Sequence, residues 1–283
     1  MEKNIRHFFL ENRSYLEDMY PGISINRLLC EFNDYCKLKG FERRVDALVL
    51  FTNLLREGVP LEYITGRAFF YNEEFQVDMR ALIPRSETEI LVSKTLEEIE
   101  KRSNDGNTEL DIVDIGTGSG AIILSILMES SVRLKGVAID ISQDAIQVAK
   151  ENLILHQDKI TKGSSLIFRL NDRLSLMDEK FDLVVSNPPY IKVDSDCLKV
   201  HKQVMKYEPH QALFLEDGSY EEWFSEFFSQ VWRCLKKDGF FIMEGHEDHL
   251  EGLCDMLKNL RFAKTVILSD YCGAKRFLTA YKG

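Results

Sequence analysis

The sequence predicts an α/β chain: a mostly parallel sheet covered by helices on both faces, preceded by a small helical domain and a β-hairpin linker. Three observations carry that expectation. Beyond Leu110, short apolar runs alternate with helical stretches, the pattern of βαβ units whose strands are buried on both faces. The first 58 residues carry apolar positions at helical spacing only. Between the two parts, residues 66–83 are rich in aromatic and β-favouring side chains.

Ile25, Leu28, Leu29, Phe32 and Cys36 follow a 3.6-residue repeat behind Ser24, a candidate cap. Val45, Leu48, Val49 and Leu55 repeat the pattern until Gly58 and Pro60 stop it. These stripes read as a helical bundle packed on itself, residues 1–58. Phe69-Phe70-Tyr71, then Phe75 and Val77, interrupted by Asn72-Glu73-Glu74, read as a hairpin inside a linker of residues 59–84. Ser86 with Glu89 three residues on has capping-box spacing, and Ile90, Leu91, Leu96 and Ile99 continue as a helix face. A second domain, residues 85–283, begins there. Its strands are expected over 112–115, 137–139, 166–170, 183–185, 240–243, 265–268 and 277–281, with helices after Gly120, through Ala145 and Ala149, from Trp223, and near Leu253.

Lys and Arg number 36 against 46 Asp and Glu, a formal net charge of −10. That balance disfavours direct nucleic-acid binding, which relies on a basic face that releases counterions. No apolar run reaches the roughly 18 residues of a membrane span, and the N-terminal residues lack the pattern of a secretory signal, so a soluble, cytoplasmic protein is expected. Six cysteines without a C-x-x-C pair read as reduced, mostly packing residues.

Asp114-Ile115-Gly116-Thr117-Gly118-Ser119-Gly120 follows an apolar strand and opens a helix. Glycines there let the backbone turn sharply and approach a ligand, beside the free N–H groups of a helix start. The spacing is G-x-G-x-G, without the G-K-[ST] of a triphosphate loop; taken alone, it also fits an ordinary strand-to-helix turn. Asp140 ends the next strand, where an acid can accept two ribose hydroxyls or cap the following helix. Asp172, after the third strand, is either an acceptor for an adenine amine or a solvated acid.

Asn187-Pro188-Pro189-Tyr190 closes the apolar strand 183–185, at the sheet's carboxyl edge. A planar NH₂ is a poor nucleophile because its lone pair is delocalised, so a site must orient it. The Asn187 side-chain oxygen and the Pro188 carbonyl can accept its two hydrogens, proline rigidity fixes both acceptors, and Tyr190 can stack on the flat group. Asn187, Pro188 and Tyr190 are the expected catalytic residues, with Pro189 completing the substrate cradle. His246 and His249 with Glu244, Glu247 and Asp248 lack H-E-x-x-H spacing and read as an exposed charged helix start, so no metal site is expected. Trp223, Phe224, Phe227 and Phe228 read as a core-facing helix stripe.

The glycine loop, Asp140 and Asn187-Pro188-Pro189-Tyr190 together resemble the class I methyltransferases. With Pro60-Leu61-Glu62-Tyr63-Ile64-Thr65-Gly66, Phe70 and Phe75, Leu82-Ile83-Pro84-Arg85-Ser86-Glu87-Thr88-Glu89, Tyr207-Glu208-Pro209, Ala212-Leu213, Asp270, Gly273 and Arg276, nearly the whole chain resembles the release factor glutamine methyltransferases of the HemK/PrmC family. The resemblance implies a Rossmann-like, mostly parallel seven-stranded domain, S-adenosylmethionine as methyl donor with S-adenosylhomocysteine as product, and a Gly-Gly-Gln glutamine of peptide chain release factors as acceptor. It implies cofactor contacts from Gly116, Thr117, Gly118, Ser119, Gly120, Asp140, Asp172, Arg173 and Asn187, and a glutamine amide held by Asn187, Pro188, Pro189 and Tyr190. The donor's sulfonium charge is lost in the transition state, so an aligned neutral nucleophile suffices. Three departures stand out: Ser86 replaces a proline, Arg173 an aromatic, and Glu244-Gly245-His246-Glu247-Asp248-His249 the family's Glu-Ile-Gly-x-x-Gln. Other acceptors with the same planar NH₂ are a ribosomal-protein glutamine or a flipped base of DNA or RNA; a catalytically silent scaffold is the remaining alternative. A monomer is expected.

Overall fold

Ser24 and Gly58 punctuate the first part of the chain where the sequence puts them. The computed structural model describes residues 2–41 and 43–283. Helices α1 (Glu2–Glu11), α2 (Arg13–Met19), α3 (Ile25–Lys39), α4 (Arg44–Glu57) and α5 (Leu61–Thr65) share a core that includes Ile5, Leu16, Leu28, Phe32, Phe51 and Leu55. Ser24 Oγ accepts the Arg27 N–H at 3.2 Å, and α4 ends on Gly58 in the left-handed region at φ +81°.

The hairpin consists of β1 (Arg67–Phe70) and β2 (Glu73–Gln76). Its turn is Tyr71-Asn72, with φ of 49° and 67°; two consecutive positive values fit the primed turn that matches strand twist. Glu73 and Glu74, expected in the break, therefore belong to the second strand and pair with Phe70 and Phe69. The expected capping box also fails. Helix α6 (Glu89–Asn104) starts after Thr88 without a side-chain cap, Ser86 Oγ donates to Glu87, and Glu89 Oε1 accepts the Tyr71 N–H at 3.0 Å. Tertiary contacts have claimed the groups that would have capped the helix.

The rest of the chain alternates as expected: β3 (Glu109–Ile115), α7 (Ala121–Glu129), β4 (Arg133–Asp140), α8 (Gln143–His156), β5 (Ser165–Leu170) and β6 (Phe181–Ser186). A segment the sequence left unassigned follows, with short strands β7 (Ile191–Lys192) and β8 (Phe214–Leu215) flanking α9 (Lys202–Tyr207). Then come α10 (Tyr220–Cys234), β9 (Leu235–Glu244), α11 (Leu250–Asn259), β10 (Phe262–Ser269) and β11 (Lys275–Lys282). Seven strands form one sheet in the order β10-β11-β9-β6-β3-β4-β5. Neighbours from β9 to β5 are parallel, and β11 is antiparallel to both β9 and β10.

Side-chain alternation along these strands builds two cores. Ile112, Leu134, Leu183 and Val185 face α6 and α7, whereas Val113, Val137, Ile139 and Val184 face Phe224, Phe227 and Phe228 of α10 and Leu253 and Leu257 of α11. Each buried phenylalanine contributes about 1.5–3 kcal/mol. From β3 the chain moves outward to β4 and β5, then returns to β6 on the other side of β3. That reversal opens a crevice at the carboxyl ends of β3, β4 and β6.

The segment between β6 and α10 closes over this edge and is tied to the earlier parts of the chain. Glu208, buried, accepts Arg85 Nη2 at 2.6 Å and the Ile83 N–H at 3.2 Å. Tyr207 Oη and Gln203 Nε2 donate to the carbonyls of Glu57 and Gly58 at the end of α4, where a helix offers unpaired acceptors. Cys36, Cys234 and Cys254 are buried, Cys197 is partly buried, and Cys30 and Cys272 are exposed. Among the described residues, no helix is long and apolar enough to cross a membrane.

Candidate active site

The crevice holds a cavity of about 320 Å³, lined by Gly116, Gly118, Asp140, Asn187, Pro188 and Pro189 among others. This is within the size range of small-molecule sites, about 300–1,000 Å³. Three strand ends bring these residues together. Ser186 Oγ donates to the Ile115 carbonyl at 2.8 Å, and the N–H groups of Gly116 and Thr117 both donate to the Ile139 carbonyl at 2.9 Å. The glycine loop is thus pinned to the ends of β4 and β6.

Gly116 and Gly118 have φ of +73° and +54°, and a Cβ at Gly118 would meet nothing within 4 Å. Their backbone is open to a ligand in a conformation L side chains rarely adopt. Gly120 differs: a Cβ there would lie 3.1 Å from Ala149 Cβ, so this glycine serves the close packing of α7 on α8. Thr117 points inward, donating to Asp114 Oδ2 at 2.7 Å, while the other oxygen of that buried carboxyl has no partner among the described residues. Burial, reinforced by nearby Asp140 and opposed by the Thr117 hydroxyl, pushes the Asp114 carboxyl up to about 7. Ser119 is buried, and its carbonyl accepts Asn152 Nδ2 at 2.9 Å. Thr117 and Ser119 line a smaller adjoining cavity of about 50 Å³ with Phe70, Arg85, Thr88 and Asn187.

Asp140 Oδ2 accepts the Gly118 N–H and Oδ1 the Ser142 N–H, both at 2.9 Å. Ser142, not Asp140, caps α8. Burial pushes the Asp140 carboxyl up, against the backbone N–H groups that draw it down. Two such donors leave a carboxylate with lone pairs to spare at the cavity wall. Asp172 and Arg173 also line the cavity, but they engage each other at 2.9 Å, and Arg173 reaches Glu226 at 2.9 Å. Its guanidinium lies 4.8 Å from the Trp223 ring centre. Arg80, the other cation on the wall, is held by Asp78 and Glu151. With both cations neutralised and an acid at the strand end, the wall favours a neutral or cationic ligand over a phosphate.

Asn187 is held from behind by a hydrogen-bond chain that the sequence did not reveal. The Thr88 hydroxyl donates its single hydrogen to Glu244 Oε2 at 2.6 Å. Towards Asn187 Nδ2, 3.3 Å away, it can then only accept. The amide nitrogen is thereby committed to Thr88, and the amide oxygen is left for a ligand. Tyr190 Oη donates to Glu244 Oε1 at 2.9 Å, its ring packs against the core, and it is absent from the cavity wall. Tyr190, expected to stack on the flat substrate group, thus has its hydroxyl engaged by Glu244.

Glu244 is only 2% exposed, correcting its assignment to an exposed charged turn: β9 runs through it. Burial pushes its carboxyl up, while the Thr88 and Tyr190 hydroxyls and then Arg276 oppose that shift. Trp223, assigned to the core stripe, is only partly buried and joins Ile141, Asn171 and Leu215 on the cavity wall. The signal for Thr88 lay in a motif read as a cap; its partner Glu244 is too distant in sequence for spacing to expose.

A methyltransferase-domain family model matches residues 107–278. The release factor glutamine methyltransferase of Bacillus subtilis strain 168 is 32% identical over 279 residues, covering 95% of this chain and 91% of that one. The protein of the same name from Flavobacterium psychrophilum is 34% identical over 224 residues, covering 79% and 76%, and that from Bacillus anthracis is 37% identical over 231 residues, covering 79% and 77%.

Proposed function

The chain belongs to the release factor glutamine methyltransferase family, and on that premise we propose that it methylates the side-chain amide nitrogen of the Gly-Gly-Gln glutamine in peptide chain release factors, using S-adenosylmethionine. The observation that carries this reading is the orientation of Asn187: its nitrogen is committed to Thr88, so its oxygen is the group offered to an incoming amide. When bound, S-adenosylmethionine supplies a methyl group on a positively charged sulfur. The wall of the larger cavity fits that ligand. Gly116 and Gly118 leave room for close backbone approach, Asp140 would accept from the ribose hydroxyls, and Ile141, Leu215 and Trp223 would form the apolar flank for adenine.

The remaining chemistry is orientation by the chain's own residues. Asn187 Oδ1 and the Pro188 carbonyl accept the two amide hydrogens of the substrate glutamine, turning the nitrogen lone pair towards the donor. Methyl transfer would break the sulfur–methyl bond, leaving neutral S-adenosylhomocysteine, and these acceptors would stabilise the positive charge on the nitrogen until its proton passes to solvent. Pro188 and Pro189 fix the backbone that carries both acceptors. Thr88, Glu244 and Tyr190 act behind them as positioning residues. Arg173, engaged with Asp172 and Glu226, serves as cavity wall and not as a free hydrogen-bond donor.

The acceptor is tested by incubating the purified chain with labelled S-adenosylmethionine and release factor, beside a release factor whose Gly-Gly-Gln glutamine is replaced by alanine, and beside DNA, RNA and ribosomal protein. Label on intact release factor alone is expected. Label on nucleic acid or ribosomal protein in its place would overturn the substrate assignment. The reading places the protein in the cytoplasm with the translation machinery.

A further inference from the structure

Asp196, His246 and His249 lie off the cavity wall and outside the chain that holds Asn187. One ligand atom from each lies within 4.8 Å of the other two. His249 Nε2 is 2.9 Å from Asp196 Oδ2, and the His246 and His249 rings are 5.0 Å apart between centres. Asp196 follows β7, whereas the two histidines sit between β9 and α11. The sequence showed only the histidine half of the group.

We propose that Asp196, His246 and His249 bind one divalent transition-metal ion of the Zn²⁺ class, fastening the segment after Asn187-Pro188-Pro189-Tyr190 to the start of α11. Two imidazole nitrogens and one carboxylate oxygen are a borderline donor set that suits Zn²⁺ better than the all-oxygen cations. Tetrahedral ligands about 2.0–2.1 Å from zinc stand roughly 3.3 Å from one another. A cluster already within 4.8 Å thus closes on an ion by side-chain rotation. Asp196 is 3% exposed, and its Oδ2 lies 2.9 Å from His249 Nε2 and accepts the Lys192 N–H at 3.1 Å.

The surroundings also suit an ion. The His246 and His249 side chains are 16% and 20% exposed, which gives an entry path and room for a water as fourth ligand. Lys199, 4.0 Å from Asp196, is already paired with Asp248 at 2.7 Å. The Lys192 N–H on Asp196 orients one of the three ligands, and ligation by His246 displaces the Asp248 N–H that now occupies its Nδ1 lone pair. In the metal-free protein the proton on His249 Nε2 bridges to the Asp196 carboxylate. The ion takes its place at Nε2, and the ring's one proton moves to Nδ1.

The proposal stands apart from the methyl-transfer reading and needs no turnover to test. Metal-stripped full-length protein is titrated with Zn²⁺ by calorimetry, and with Co²⁺ by visible absorption. One equivalent of Zn²⁺ bound, four-coordinate Co²⁺ bands, and loss of both in the His246→Gly/His249→Gln double variant are expected. Asp196→Asn is expected to weaken Zn²⁺ affinity by about tenfold or more, with the fold of each variant checked by circular dichroism. All six cysteines remain in these variants, so stoichiometric binding that survives the double substitution would overturn the assignment. Failure of the wild-type chain to bind Zn²⁺ would overturn it as well.

Discussion

Replacing Thr88 with valine removes one hydroxyl and little volume, and so tests whether Asn187 is held by Thr88 or merely lies near it. The 3.3 Å contact from Asn187 Nδ2 is a neutral hydrogen bond, worth about 0.5–1.5 kcal/mol net. If that energy sets how often the amide oxygen faces the substrate, kcat falls by about 2- to 13-fold. The 2.6 Å bond to Glu244 is lost at the same time, leaving a buried carboxyl with Tyr190 as its remaining hydroxyl donor. Stability should therefore drop by about 1–3 kcal/mol. Steady-state methyl transfer to release factor, at temperatures where urea unfolding shows the variant fully native, separates the two effects. Thr88→Ser keeps the hydroxyl and is expected to restore kcat. A native Thr88→Val with unchanged kcat, or a Thr88→Ser variant as slow as Thr88→Val, would refute the positioning role.

Asp140→Ala should weaken S-adenosylmethionine by about 10- to 150-fold, the equivalent of one charge-assisted hydrogen bond at about 1.5–3 kcal/mol, with kcat at saturation little changed; an unchanged dissociation constant by calorimetry would contradict the assignment. Asp114→Asn removes a buried acid whose folded value of about 7 lies above the roughly 3.9 of an unfolded aspartate. The folded state holds that proton more tightly, so wild-type stability falls as pH rises from about 4 to 7, by at most about 1.4 kcal/mol per unit. The variant escapes this loss. Its stability relative to wild type should be more favourable at pH 8 than at pH 5 in urea unfolding, and an equal difference at both would count against the proposed burial penalty.

What the sequence disclosed follows from the range of each signal. Apolar runs such as Val137 to Ile139 and Leu183 to Val185 mark strands because burial on both faces favours apolar side chains. The glycine loop and Asn187-Pro188-Pro189-Tyr190 were visible because they are contiguous. The Thr88–Glu244–Tyr190 chain was not, since its members lie on three distant segments. Glu244 looked exposed beside Glu247 and Asp248, although the strand carries it into the core. Ser86 and Glu89 matched a capping box, but Glu89 meets the Tyr71 N–H and Thr88 meets Glu244; local propensity yielded to tertiary demand at the functional edge, where such conflicts are expected. Trp223 followed the same helical period as Phe227, and only the folded structure shows it partly buried on the cavity wall.

The central claim is that Asn187 orients the substrate amide, and single-turnover methyl transfer by Asn187→Ala tests it most directly. With release factor and S-adenosylmethionine both saturating and the fold verified, the account predicts a rate loss of about 100-fold or more, the scale on which one transition-state acceptor or donor acts. A rate within about threefold of wild type, well short of that scale, would contradict it.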